Sequence, residues 1–352
     1  MKTEILIGFA IATGALLAYL LFWPVPIDPI AWTPPEAPPM VGVYGPNQSL
    51  ASVERLGEGT GVGPEDVAVD GLGQIYAGME DGRIVRFQPD GNAAEVFADT
   101  GGRPLGLHFD GSGNLIVCDL HRGLLSVAPD GAVTVLATQE GSLPFRQTND
   151  VDVAADGTIY FSDSSFKTSN TLLAMLEQRP HGRLLAYDPT TGSVRRLLGE
   201  LCYANGVAIS PDQAFALVVE TGRYRVWRYW LAGPRQGEAE VFIENLPGFP
   251  DGISSDGKGT FWLALVSPRY TFVDYLWQRP FLRKVIARLP QGLLSSAPRY
   301  GFILGLDQDG RVIHNLQDPA GAYTGISSVT EYGKMLYLGS LIEDAVGRLP
   351  AP

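Results

Sequence analysis

The chain has 352 residues, a formal net charge of −12, and 26 lysines and arginines scattered along its length. A duplex-binding surface needs a basic stripe that displaces counterions, so no nucleic-acid partner is expected. Two cysteines, Cys118 and Cys202, each inside its own strand-like run, do not make a disulfide framework, while 42 glycines and 26 prolines point to a large, turn-rich domain.

The first element is apolar. Residues 5–24, "ILIGFAIATGALLAYLLFWP", contain no charge and are long enough to cross a bilayer as a helix. Lys2 precedes the run and no Lys or Arg follows before Arg55. The positive-inside rule therefore predicts a cytoplasmic N-terminus, with the rest extracytoplasmic, in a periplasm or a lumen. No small-x-small cleavage site follows, which favours an uncleaved anchor over 1–24. Seven prolines between 24 and 39 mark 25–42 as a stiff, extended linker that holds the remaining domain, 43–352, off the membrane.

Beyond the linker, one phrase recurs. A short polar or turn residue followed by alternating apolar residues appears as "PEDVAV", "PLGLHF", "TNDVDV", "ANGVAI", "PDGISS" and "YTGISS". Each is followed by a turn and a second strand, such as "GQIYAG" or "GTIYFS", and several by a third strand and a Pro-Asp or Asp-Gly turn. The second residues of the phrases are Glu65, Leu105, Asn149, Asn205, Asp251 and Thr324. That spacing leaves room for about four strands per unit, the content of a propeller blade. The predicted fold is all-β, a six-bladed β-propeller with short helical insertions, with an irregular sandwich as the alternative. The sixth unit runs short of strands, so "SLASVERLG" (49–57) is expected to supply the outer strand that closes the ring.

In a propeller the innermost strands line the axis, and equivalent positions at their starts form a ring around one mouth. Here four ring positions are Glu65, Asn149, Asn205 and Asp251. Two carboxylates brought together out of water repel one another and call for compensation. A cation bound by oxygen only suits Ca²⁺, whereas Zn²⁺ would want His or Cys. Such an ion has positions open to a substrate oxygen, or it plugs the channel as a structural ion. Candidate bases are Asp251 itself, Asp119 in "LIVCDLHRG", and His121. Two insertions, 169–180 and 270–293, carry apolar residues at helical spacing. Both are expected to cover the mouth as a lid for an apolar ester or lactone, and the second, with Arg279, Arg283, Lys284 and Arg288, alternatively lies on the membrane surface.

"GRLLAYDPTTG", "CYANGVAIS", "FIENLPGFPDGIS" and "FWLA", between 182 and 263, resemble the core of strictosidine-synthase-like proteins. The likeness, covering about 43–349, is strongest to the membrane-anchored animal members of the adipocyte plasma membrane-associated protein type. The wider superfamily of gluconolactonases and paraoxonases implies a six-bladed propeller hydrolase whose catalytic calcium is held by Glu65, Asn149, Asn205 and Asp251. It further implies a second, structural calcium at Asp66, Asp150 and the Leu107 carbonyl. Two departures stand out. "AGAYTGISSVT" (320–330) has no acid where the plant synthases carry a catalytic Glu, and the paraoxonase His pair corresponds to Leu105 and Asp119.

Overall fold

A computed structural model describes residues 2–290 and 298–352. Six four-stranded antiparallel sheets stand around one axis, and the first strands of neighbouring blades touch one another in a closed circle. These inner strands are Val67–Val69, Pro104–Phe109, Thr148–Val153, Ala204–Ile209, Gly248–Ser255 and Ile326–Tyr332, in blades one to six. The ring closes as the sequence predicts. Strand Glu54–Leu56 pairs with Val346–Pro350 as the outer strand of blade six, with Arg55 opposite Gly347. Closure removes a free sheet edge and joins the two ends of the propeller. Arg55 adds ion pairs of 2.8 Å to Glu343 and 2.7 Å to Asp344.

The core lies between blades rather than at a single centre. Ala68 and Ile84 of blade one pack against Leu107, Leu115 and Val117 of blade two, and the same arrangement repeats around the ring. Each fully buried aliphatic contributes roughly 1.5–3 kcal/mol.

Two local devices bring the inner strands to the axis. The first is a β-bulge near the mouth end. Pairing jumps from Ala204↔Glu220 to Val207↔Val218, and from Pro250↔Leu265 to Ile253↔Leu263, with equivalent shifts in blades two, three and six. A bulge re-aims a side chain, here the residue just after the first pair. The second is the residue that follows, which is Gly106, Gly206 or Gly252 in blades two, four and five. None of the three has positive φ. They are glycine because the next inner strand crosses so close: a Cβ on Gly206 would stand 2.4 Å from the Ile253 amide nitrogen, and one on Gly252 2.5 Å from the Ser327 carbonyl oxygen.

The bulge also corrects the sixth phrase. "GISS" occurs in blades five and six, but the pairing shift after Ile326 puts Ser327, not Thr324, at the ring position. Thr324 is buried earlier in the chain, where its hydroxyl donates to the Tyr300 carbonyl at 3.1 Å.

Four α-helices stand among the described residues: α1 (Lys2–Phe22), α2 (Thr171–Glu177), α3 (Thr271–Trp277) and α4 (Pro280–Ile286). Helix α1 is long and apolar enough to cross a membrane and packs no residue into the domain core. The linker is extended, as its prolines require, and it bonds to the domain. It is strapped along the mouth face. The Asp28 amide donates to Glu177 at 2.7 Å, the Trp32 amide to the Trp277 carbonyl at 3.0 Å, and Arg269 donates to the Pro35 carbonyl at 2.7 Å.

Gly206→Ala or Gly252→Ala should lower stability by about 1–3 kcal/mol, because the added methyl has only backbone to push against. Thermal melting measures this, with Gly71→Ala, where nothing stands within 4 Å of a Cβ, as the insensitive control.

Candidate functional site

Glu65, Asn149, Asn205, Asp251 and Ser327 converge on a void of about 10 Å³, with Leu105 as the one apolar member of the ring. Such a void holds about one water-sized sphere. The mouth side opens into a cavity of about 310 Å³, and the far side of the channel into one of about 150 Å³ lined by Asp66, Asp150, Asp152 and His108.

Charge at the ring is only partly balanced. Arg103 donates to Glu65 Oε2 at 3.0 Å and to the Gly63 carbonyl at 2.9 Å. Among the described residues Asp251 has no such partner; its oxygen accepts from the Asn205 carboxamide, which also donates to Thr221 Oγ1 at 3.2 Å. Burial pushes the Asp251 carboxyl well above the usual range, with the Glu65 charge adding to it. Burial also raises Glu65, against the opposing pull of Arg103. Asn149 donates to Ser164 Oγ at 3.0 Å.

One level deeper, the position after the ring residue is aspartate where it is not glycine or serine. Asp66 accepts from the amides of Val67 and Leu107, both at 2.8 Å, and Asp150 from those of Val151 at 2.8 Å and Val207 at 2.7 Å. Each thus ties its own blade to the next. Burial raises both carboxyls, Asp150 strongly, with Asp66 the main charge acting on it.

The structure does not bring Asp119 or His121 to the cavity. Asp119 is fully buried, accepting from Thr100 Oγ1 at 2.7 Å and from the His121 and Arg122 amides at 2.9 Å. Asp163 and Glu220 end the second strands of blades three and four and do the same work. Asp163 accepts from the Gln147 amide and Arg183, and Glu220 from the Cys202 amide and Arg225. A carboxylate at this position fastens the mouth-side loops. His121 is exposed and lines neither the void nor the cavity.

The cavity wall also contains residues that the repeat alone does not single out. Arg103 sits two positions before Leu105 and points at a ring acid. Gln147 Nε2 donates to the Tyr203 hydroxyl at 2.6 Å and to Thr171 Oγ1 at 2.8 Å, pinning the start of α2 to the wall. Helix α2 is capped by Asn170, which accepts from the Leu173 amide at 2.9 Å, and it presents Thr171 and Met175 to the cavity. The first insertion is therefore the cover. No residue of α3 or α4 lines the cavity. They stand behind α2, where Arg283 donates to the Leu176 carbonyl at 2.7 Å, so the second insertion is not the lid the sequence suggested. Its residues 291–293 lie outside the described residues.

The ring passes a chemical test for a hard cation. Of the two ring carboxylates only Glu65 is paired with a guanidinium among the described residues, and the neighbouring ring donors are carboxamide and hydroxyl oxygens. Among the described residues no three His, Cys, Asp or Glu side chains gather as a metal cluster. An ion here therefore has to use the asparagines.

Comparisons with known proteins agree with this architecture. Residues 149–234 match the strictosidine synthase family and 42–87 the strictosidine synthase-like N-terminal family. The chain is 37% identical to the adipocyte plasma membrane-associated protein of Bos taurus, over 94% of this chain and 86% of that one. It is 38% identical to STRICTOSIDINE SYNTHASE-LIKE 7 of Arabidopsis thaliana, over 92% and 88%. Among solved structures, a gluconolactonase from Xanthomonas campestris superposes with a TM-score of 0.63 at 18% identity, covering 93% of this chain and 99% of that one. A calcium-binding regucalcin from Agrobacterium tumefaciens reaches 0.57 at 17%, covering 84% and 90%.

Asp119→Ala should destabilise the protein by about 1–3 kcal/mol for each buried donor left without a partner, whereas His121→Ala should change neither melting temperature nor ligand binding. Paired melting curves of the two variants check this.

Proposed function

We propose that this chain, which belongs to the strictosidine-synthase-like family, is a membrane-anchored, calcium-dependent hydrolase of lactones or aryl esters. The observation that carries the reading is Asp251, a buried carboxylate with no cationic partner among the described residues, at the floor of a cavity walled by Leu105, Leu120, Met175, Phe249 and Leu341.

Glu65, Asn149, Asn205 and Asp251 would hold the calcium, and Asp66, Asp150 and the Leu107 carbonyl a second, structural one. When bound, calcium supplies positive charge for a developing oxyanion. The chain's own residues do the rest. The apolar wall takes the acyl or aryl part of the substrate and excludes water from all but the floor. Asp251, at the floor of the cavity, is the group placed to take a proton from an attacking water. Arg103 fixes Glu65 through its 3.0 Å ion pair. Thr171 and Met175 of α2 close the mouth, held by Gln147 and Tyr203. The fold neighbours named for lactonase chemistry support a hydrolytic reading, and α1 supports a single-pass anchor with the propeller outside the cytoplasm. A strictosidine-type condensation is disfavoured because the ring position of blade six is Ser327 and no acid lies within 320–330.

Full-length protein in detergent should hydrolyse phenyl acetate or a simple lactone with Ca²⁺, and lose that turnover, together with several degrees of melting temperature, in EGTA. Asp251→Asn should reduce turnover by about 10²–10⁴-fold while the protein stays folded. Calcium-dependent melting with no turnover on any ester or lactone would instead leave a calcium-stabilised propeller that binds a ligand or partner without catalysis.

A further inference from the structure

In a propeller, loops that follow the second strands lie at the same end as the starts of the inner strands. Helix α2, helices α3 and α4, and the loop at 341–343 are all such loops, so they share the mouth face. A group of the propeller's exposed large apolar side chains gathers there. Phe272 (67% exposed) and Tyr275 lie three apart on one side of α3, Phe281 (55%) and Leu282 project from α4, and Leu341, Ile342 (56%) and Val62 rim the far side of the mouth. Elsewhere such residues are spread out: Val96, Val135, Val241 and Ile313 on outer strands, Leu72 and Tyr332 at the opposite end, and Val41 and Val43 around the short 3-10 turn at 42–44. An apolar patch concentrated on one face marks a contact surface.

What covers that face is indicated by α1. Its last carbonyls, which lack partners within the helix, are taken by Arg288, which donates to the Trp23 carbonyl at 2.6 Å and the Leu20 carbonyl at 2.9 Å. The Tyr19 hydroxyl donates back to the Arg288 carbonyl at 3.1 Å. Arg288 lies two residues beyond α4, so the end of the apolar helix is clamped to the mouth-face insertion. The strap from Ile27 to Pro35 then runs across the same face, with Asp28 bridged to Arg179 and Lys284. Exposed Phe22 and Trp23 continue the aromatic surface from the helix onto the domain.

We propose that the mouth face rests on the bilayer that holds α1, with Phe272, Tyr275, Phe281 and Ile342 entering the interface and the cavity opening toward lipid. The contact is apolar rather than charge-driven. The chain is acidic overall, Lys284 is occupied by Asp28, and Arg279 stacks 3.6 Å from the Tyr275 ring centroid. A zwitterionic surface is therefore sufficient, and salt does not release the domain. Taken with the hydrolase reading, on which this last step rests, the substrate is an ester or lactone with a long apolar chain, delivered from the membrane.

The test places a fluorescent label at one position at a time in the full chain, using Phe272→Cys, Phe281→Cys, Ile342→Cys and, as the opposite-end control, Leu72→Cys (82% exposed). Native Cys118 and Cys202 are buried and do not compete for label. After reconstitution into phosphatidylcholine vesicles, shallow spin-labelled lipids should quench the three mouth-face labels several-fold more than the control, in low and high salt alike. Equal quenching at all four positions, or quenching abolished by salt, overturns the proposal. Hydrogen exchange on the unlabelled protein gives a second reading. Slower exchange across 271–286 in vesicles than in detergent supports the contact, and unchanged exchange overturns it. Neither readout uses turnover, so the docking stands or falls separately from the hydrolase assignment.

Discussion

Six inner strands meet on one axis, and most of what is distinctive here follows from how little room that leaves. Five of the six inner strands are bulged so that one side chain turns inward, and the residue after the ring position is glycine or aspartate in every blade but the sixth, where it is Ser328. Glycine at 106, 206 and 252 leaves room for the neighbouring strand; aspartate at 66 and 150 bridges to it. The packing device and the polar ring are therefore one feature. Crowding that demands glycine also removes water from Glu65 and Asp251, and removal of water raises their proton affinity. Compact closure and a chemically restless centre come together.

The mouth face is assembled in layers above that centre. Helix α2 covers the cavity, α4 props α2 through Arg283, and the proline-rich strap binds both to the end of α1. Glu177 is the junction. Its carboxylate receives the Asp28 amide and the Lys167 ammonium, and its carbonyl receives the Ile30 amide. A segment whose composition reads as a spacer thus serves as a binding strap, because buried donors and acceptors on the domain match its extended backbone.

Much of this was legible in the residues. Recurrence of a polar residue before an alternating run located the inner strands of five blades, and the strand deficit of the sixth unit located the closing strand at Glu54–Leu56. The identical "GISS" tetrapeptides misled, because the bulge precedes the isoleucine in blade five and follows it in blade six, which moves the sixth ring position from Thr324 to Ser327. Asp119 looked like a free acid at the mouth. Only the loop geometry shows its oxygens already taken, as are those of Asp163 and Glu220. Arg103 and Tyr203 carried no repeating signal, since each acts through a partner distant in the chain. The strap's contacts were hidden for the same reason: proline content reports stiffness but not what a stiff segment lies against.

The claim on which the account depends is that the ring holds a cation. Crystals grown with calcium, with anomalous diffraction collected at a wavelength where calcium scatters, test it directly. The account predicts an anomalous peak on the axis within coordinating distance of Glu65, Asn149, Asn205 and Asp251. Ordered water alone at that position, with Asp251 protonated and hydrogen-bonded to Asn205, would contradict it.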